Sequence, residues 1–460
     1  MSKPTLVRQL SLVSATALVV SNMIGVGIFT TTGFLAGDLG QPWLVVGIWF
    51  VGAALALAGA LCYSELAVNF PRSGGEYVYL TEAWGPTWGF INGWVSFFAG
   101  FSAPIAAAVL AICAYLAYFF PSLSADQPAA FSIPLGIFTI ELGVLQIVAC
   151  TIVLCFTAVN VVGASKVAAV QNALTIAKLL VIGGLLVLGF TIGEGDWGHF
   201  SQDMARTSSM PLAGQFATSL VFVFYAYSGW NAAVYVAEEI RNPERTLPLA
   251  LVTGTILVAL LYAALNVLYI YANPLAEMAG VPAVGAAAAM SLFGERAGGW
   301  FSAAMAASLL ATVNAMSMIG PRVYYAMAQN NAFFPAAGRL HPRWGSPWVA
   351  VLAQGACCCL LIVTGTFESL ASYIGFTLFF LSALAVLAIF KFRRRPGWKR
   401  SRWVNIGYPV IPLAYVAMNV WVFYFFARGG QVEAWWAVAT VVAGGIVYRV
   451  WMKPRTPEAR

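Results

Sequence analysis

Apolar residues run in long blocks along this chain, with short polar punctuation between them. Twelve blocks can be placed, at 10–36, 42–69, 87–120, 142–163, 166–192, 211–240, 246–272, 298–330, 347–366, 368–391, 405–427 and 431–452. Each approaches or exceeds the ~20 residues a helix needs to cross a bilayer. The pattern therefore predicts membrane-spanning helices. Gly and Pro mark the joints, as in Gly40-Gln41-Pro42, Gly85-Pro86, Ser346-Pro347 and Arg395-Pro396-Gly397.

Two blocks break their own pattern. The first contains Ser21-Asn22-Met23-Ile24-Gly25-Val26-Gly27-Ile28-Phe29, and the sixth contains Tyr225-Ala226-Tyr227-Ser228-Gly229-Trp230-Asn231. Glycine costs a helix about 1 kcal/mol relative to alanine, and unpaired backbone in lipid costs several kcal/mol per group. Such a break persists where protein or water covers it, or where something binds. The two breaks lie five blocks apart. Five spans is an odd number, so a second five-helix unit would lie inverted relative to the first. Paired broken helices in two inverted halves point to a transporter's central site. Close helix packing is the plainer use of glycine in a membrane, but it does not explain two breaks at matching positions.

Unwinding predicts a chemistry. Free N–H groups near Val26, Gly27 and Ile28, at the positive end of a half-helix, suit a carboxylate. Free carbonyls at Met23 and Ile24, joined by those around Tyr225 and Ala226, suit an ammonium. The two together fit a zwitterion, and an α-amino acid is the natural ligand. Tyr227, Ser228 and Asn231 complete the candidate substrate-binding set beside Gly25.

Composition narrows the class. Hydrophobic types make up 61% of the 460 residues and charged types 9%, against about 25% charged in a soluble domain. This is the composition of an integral membrane protein whose partner is the lipid bilayer. With the N-terminus cytoplasmic, only Arg206, Arg296 and Arg428 fall outside and Lys178 falls within the membrane; every other Lys and Arg lies on the inner side. That asymmetry follows the positive-inside rule and predicts both termini in the cytoplasm. It also accounts for the net charge of +7 without nucleic acid: the Lys391–Arg402 cluster reads as an inner-leaflet anchor. The run continues past the glycines to Phe34, which argues against a cleaved signal peptide. The seven cysteines, three of them consecutive at Cys357, Cys358 and Cys359, lack metal-ligand spacing. Neither a metal nor another cofactor is expected.

The motifs resemble the amino acid–polyamine–organocation superfamily, and most of all its L-amino-acid transporter branch. The resemblance spans about residues 8 to 425 and rests on four stretches. These are Gly25-Val26-Gly27-Ile28-Phe29; Cys62-Tyr63-Ser64-Glu65-Leu66-Ala67; Pro71-Arg72-Ser73-Gly74-Gly75-Glu76-Tyr77-Val78-Tyr79-Leu80; and Ala226-Tyr227-Ser228-Gly229-Trp230-Asn231 with Glu238-Glu239 and Asn242-Pro243. It implies an all-α membrane protein with twelve transmembrane helices in a five-plus-five inverted repeat, the LeuT-like fold, working by alternating access with helices 1 and 6 broken. The divisions expected are a cytoplasmic N-terminus at 1–9, helices 1–5 at 10–192, helices 6–10 at 211–391, helices 11–12 at 403–452 and a cytoplasmic C-terminus at 453–460. The family's first motif usually reads Gly-Ser-Gly; here Val26 takes the middle place, so backbone groups must carry more of the recognition. Animal members use a cysteine between helices 3 and 4 to tie a glycoprotein. The loop at about 121–141 has no cysteine, so no disulfide-linked subunit is expected.

Lys178 lies 12 residues beyond Lys166, roughly 18 Å deep at 1.5 Å per residue. A lysine there needs a cavity or a partner. The resemblance implies that its ammonium replaces the sodium ion of sodium-coupled relatives and bridges helix 1 to helix 8. Ser308 and Thr312, which share a helix face, are the candidate partners on helix 8. A structural lysine and a proton-coupling lysine are the alternatives. Tyr225 matches the family's aromatic gate, with plain packing as the alternative. Glu65, Arg72, Glu238, Glu239 and Arg322 lie near inner helix ends, as gate or as ordinary interfacial charges. The segment 71–85 reads as an amphipathic inner-face helix coupled to that gate.

The function expected is sodium-independent transport of L-amino acids, neutral ones favoured, by exchange or facilitation across the cell inner or plasma membrane. Proton-coupled symport is one alternative, and carriage of cationic amino acids or polyamines in the same fold is another. An enzyme is disfavoured, because the two histidines, His199 and His341, both fall in loops and nothing pairs a nucleophile with a base. A channel lacks its ring of charges.

Overall fold

A computed structural model describes residues 8 and 10–452, except 73, 137, 163–166, 330, 331, 402, 403 and 406; for 167–175 it describes the backbone alone. Lys3, Ser73, Lys166, Arg402, Lys453, Arg455 and Arg460, and with them most of both expected cytoplasmic termini, lie outside the described residues.

The chain is built of helices. The first apolar block forms α1 (Leu12–Met23) and α2 (Gly27–Leu39), bent by 42° at the glycines. The helix α3 (Pro42–Asn69) follows, then a short α4 (Glu76–Trp84). Next comes one continuous rod, α5 (Pro86–Val95) running through a π-helical stretch at Ser96–Ser102 into α6 (Ala103–Leu116). After it come α7 (Val144–Val162) and α8 (Val167–Thr191). The sixth block gives α9 (Leu212–Tyr227) and, past the second break, a 3-10 segment at Ala232–Glu239. Beyond it lie α10 (Pro243–Ala272), the short α11 (Leu275–Met278) and α12 (Val284–Phe293), and α13 (Glu295–Gln329). Then come α14 (Trp348–Thr364), α15 (Phe367–Phe392) and two last helices, Val410–Arg428 and Val432–Val447.

Local chemistry sets these bounds. Pro42, Pro86 and Pro243 open their helices, where the missing N–H costs nothing. Gly40 closes α2 at φ +67°, the left-handed conformation glycine adopts freely. Thr366 and Ser369 form a capping box on α15, which satisfies two orphan donors at once.

Nine described helices are long and apolar enough to cross a membrane, and the bent α1–α2 pair makes a tenth. The remaining two of the twelve blocks give shorter apolar helices by the same measure, Trp348–Thr364 and the described Ile176–Thr191. One feature departs from an all-helical expectation. The loop after α6 folds into an exposed antiparallel hairpin, Phe131–Pro134 on Thr139–Leu142, turned at Gly136 (φ +84°). Its alternating residues fit a strand pair.

The helices α3, α10 and α15 pack against the two broken segments, of which α2 and α9 are buried along nearly their whole length. Outward positions carry exposed apolar side chains such as Trp43, Phe50, Leu180, Leu260 and Val420, as a lipid-facing surface requires. Glu65 sits at the end of α3 and is fully buried. It accepts from Arg393 Nη2 at 2.6 Å and Nε at 2.8 Å, from Trp398 Nε1 at 2.9 Å and from the Ser401 N–H at 3.1 Å. It is an internal tie between α3 and the end of α15, not an exposed interfacial charge.

Candidate functional site

The first break is a short stretch of non-helical backbone. Gly25 N–H turns back onto the Met23 carbonyl at 2.7 Å, which removes the regular ladder. Among the described residues the N–H groups of Val26, Gly27 and Ile28 have no hydrogen-bond acceptor. An unmet buried donor costs about 1–3 kcal/mol, so three together at a helix start form a strong anion-binding feature. These are the groups expected for a carboxylate.

The second break is built differently. The helix α9 ends at Tyr227, Ser228 takes an extended conformation, and Gly229 turns through φ +96°. The two breaks then interlock. A methyl group on Gly27 would lie 2.5 Å from Ala226 Cα, and one on Gly229 would lie 2.9 Å from the Asn22 backbone. The start of α2 thus meets the end of α9, and the end of α1 meets the start of the 3-10 segment. Gly25 behaves in the opposite way: beside it a methyl would meet only the Met23 carbonyl oxygen, at 3.9 Å. That open side is the space available to a ligand.

The carbonyls at the crossing are already engaged. Lys178 Nζ donates to Ile24 O at 2.5 Å. Tyr262 Oη, from α10, lies 2.6 Å from Met23 O and 3.1 Å from Ala226 O. Ser228 N–H donates to Tyr225 O at 3.0 Å. A carbonyl oxygen accepts two hydrogen bonds. Met23 O already holds two, from Gly25 N–H and Tyr262 Oη, while Ile24, Tyr225 and Ala226 keep capacity for a substrate ammonium. Tyr227 Oη donates to Trp49 O at 3.2 Å, and its ring packs 5.1 Å from that of Tyr262.

Lys178 is 5% exposed and makes its hydrogen bond to helix 1 alone among the described residues. The expected second half of the bridge is not formed. Ser308 Oγ is buried without a partner, and no hydrogen bond reaches Thr312 among the described residues. Asn231 also points elsewhere. Its amide donates to Glu76 Oε1 at 2.8 Å and to Tyr235 Oη at 3.3 Å, rather than to the unwound backbone.

One side of the crossing is shut. Phe34 of α2 stacks between Phe222 and Phe367 at 6.0 Å from each, and Tyr225 meets Phe367 edge-on at 6.2 Å. Beyond them Ser219 donates to Asp38 at 2.9 Å. On the other side, where α1 begins, Asn22 is exposed and Ser21, Gly25, Ser228 and Asn231 are half-buried. We call these the far and near faces.

A helical membrane chain with two interlocked breaks and unpaired N–H groups at their crossing leaves the question of family. A family model described as "Amino acid permease" matches residues 10–448. The chain belongs to the amino acid permease family. It is 29% identical over 421 residues to the serine/threonine exchanger SteT of Bacillus subtilis (strain 168), covering 90% of each chain. It is 28% identical over 414 residues to the human large neutral amino acids transporter small subunit 2, covering 89% of this chain and 74% of that one. With the mouse b(0,+)-type amino acid transporter 1 it shares 26% over 398 residues, covering 85% and 77%. The permease is therefore a transporter of the amino acid–polyamine–organocation superfamily and not an enzyme.

Sequence reasoning missed Tyr262, Trp49 and the aromatic stack of Phe34, Phe222 and Phe367. Each lies in an apolar run among 18 tyrosines, 16 tryptophans and 31 phenylalanines, and nothing local sets it apart. Glu76 was visible in its motif, but its partners come from two other helices.

Proposed function

We propose that the permease carries neutral L-amino acids across the cell membrane by sodium-independent exchange, through alternating access of the crossing between helices 1 and 6. The observation that carries this reading is the set of unpaired N–H groups at Val26, Gly27 and Ile28 beside the open side of Gly25. These donors would take the carboxylate. The remaining acceptor capacity of Ile24, Tyr225 and Ala226 would take the ammonium; Met23 O, also expected there, is filled by Gly25 N–H and Tyr262 Oη. The carboxyl group that reaches the second break, Glu76, is already occupied by Tyr63, Asn231 and Tyr235, which disfavours a second cationic group and so polyamines or cationic amino acids.

Lys178 supports sodium independence: its ammonium already sits on Ile24 O, where a cation would otherwise help to hold the unwound carbonyl. The relative named as a serine/threonine exchanger, matched over 90% of both chains, supports exchange and small neutral substrates. We place the chain in the twelve-helix, five-plus-five inverted repeat, with the near face cytoplasmic and no disulfide-linked subunit. The interlocking of the two breaks in opposite senses supports that repeat.

A competition panel tests the reading. Uptake of labelled serine into liposomes holding the purified permease should be blocked by excess neutral L-amino acids, not by arginine or putrescine, and should be the same in sodium and in choline buffer. Dependence on sodium, or inhibition by putrescine alone, would overturn it.

A further inference from the structure

Glu76 opens α4, a short helix between the spanning helices, and only 7% of it is exposed. Three neutral groups converge on its carboxyl group. Tyr63 Oη from α3 and Asn231 Nδ2 reach Oε1 at 2.8 Å each, and Tyr235 Oη reaches Oε2 at 2.8 Å. Asn231 and Tyr235 belong to the stretch just past the second break, so this one side chain ties the near half of helix 6 to the loop helix. The loop is shaped for that contact. Gly75 sits at φ +51°, and a methyl there would lie 2.9 Å from both Tyr235 and Val234.

Among the described residues no cation compensates the group. The titratable side chains facing it are Tyr63 from α3, Tyr79 on its own helix, Tyr235 and Tyr415 of the Val410–Arg428 helix. Among the described residues no Lys, Arg or His pairs with it, and the buried Arg393 is spent on Glu65. A buried carboxylate without a cation is costly, and burial raises the Glu76 carboxyl above its ordinary value against the pull of its three donors. The neutral acid avoids that cost and keeps all three contacts. Oε1 still accepts from Tyr63 and Asn231, while a proton on Oε2 donates to the Tyr235 oxygen.

We infer that Glu76 is a positioning residue for transport: its protonated carboxyl group fastens the near half of helix 6 to α4, and loss of the proton to water loosens that half-helix. The sign follows from linkage. The fastened arrangement holds the proton more tightly than a solvated Glu76 does, so protons favour fastening, and the tie weakens as pH rises through the raised value. The near face is where the crossing is accessible, so the tie acts on the opening step there. The inference rests on the transport reading above.

The test is labelled-serine exchange in liposomes across a pH series, with equal pH on both sides. The wild-type exchange rate should change through one transition. Glu76→Gln, which reproduces the hydrogen-bonding pattern of the neutral acid, should abolish that transition. Glu76→Asp should keep one, and Tyr235→Phe, which removes the oxygen that the protonated acid donates to and so weakens the fastened state, should move it to lower pH. A Glu76→Gln profile with the wild-type transition would overturn the inference. Infrared difference titration of the purified protein reads the same group without transport. A carboxylic-acid carbonyl band should fade in the wild type as pH rises and be absent from Glu76→Gln; equal bands in both would also overturn it. Should no amino acid be exchanged at all, the infrared result still decides on Glu76.

Discussion

The ammonium of Lys178 lies 2.5 Å from the carbonyl oxygen of Ile24, across 154 positions of sequence. The contact explains how two costly groups coexist in one apolar interior. A lysine at depth costs about 2.5–3.5 kcal/mol on insertion scales, and an unwound carbonyl is also left without its helical donor. Each offsets the other. Lys178→Met should therefore leave the protein folded but with its first break poorly held, and serine exchange should fall at least tenfold at every pH. Unchanged exchange would remove the lysine from the mechanism, and loss at one end of the pH range only would make it a proton carrier.

The glycines of the first break should separate by role. Gly25→Leu projects into open space and should leave thermal stability near wild type while abolishing substrate binding. Gly27→Leu drives a side chain into Ala226 and should lower both stability and binding. Val26→Ser should be tolerated in both. Thermal melts in detergent, with and without serine, read all three. A Gly27→Leu variant that binds and melts normally would mean that the crossing is misplaced.

Tyr262 Oη serves two carbonyls, Met23 O and Ala226 O, from the two broken helices. Its hydroxyl donates to one at a time and is worth about 0.5–1.5 kcal/mol. Tyr262→Phe should raise the KM for exchange severalfold, up to the tenfold that ~1.4 kcal/mol represents, with a smaller change in turnover. An unaltered KM would make Tyr262 a packing residue only.

The Glu65–Arg393 pair should matter to stability and not to substrate choice. Removing one partner of a buried pair costs about 3–5 kcal/mol, because the other charge is stranded. Arg393→Gln should therefore melt well below the wild type, and the double variant Glu65→Gln/Arg393→Gln should recover part of the loss. Additive losses would show that the two groups are not coupled.

The breaks were legible in the sequence because their cause is local. Gly25, Gly27 and Gly229 change backbone propensity where they stand, and the structure unwinds over residues 24–26, just before Gly27, and around Gly229. Lys178 was legible for a similar reason, since a charge in an apolar run stands out. Its expected partners at Ser308 and Thr312 were not found bonded to it: sharing a face of helix 8 does not fix how far that face lies from helix 5. The burial of Glu65 and the partners of Glu76 were illegible because they depend on how α3, α4, α15 and the near half of helix 6 come together. Asn231 shows the same limit. Its polarity within a span marked it as occupied, but only packing reveals that Glu76 is the occupant.

Counterflow tests the central claim most directly, because it asks whether a neutral amino acid on one side drives movement of another from the other side. Liposomes holding the purified permease would be loaded with unlabelled serine, or left empty, and given trace labelled serine outside without sodium. The account predicts rapid accumulation in the loaded vesicles and little in the empty ones, with both lost in Gly25→Leu. Equal uptake into empty and loaded vesicles, or full counterflow in Gly25→Leu, would contradict it.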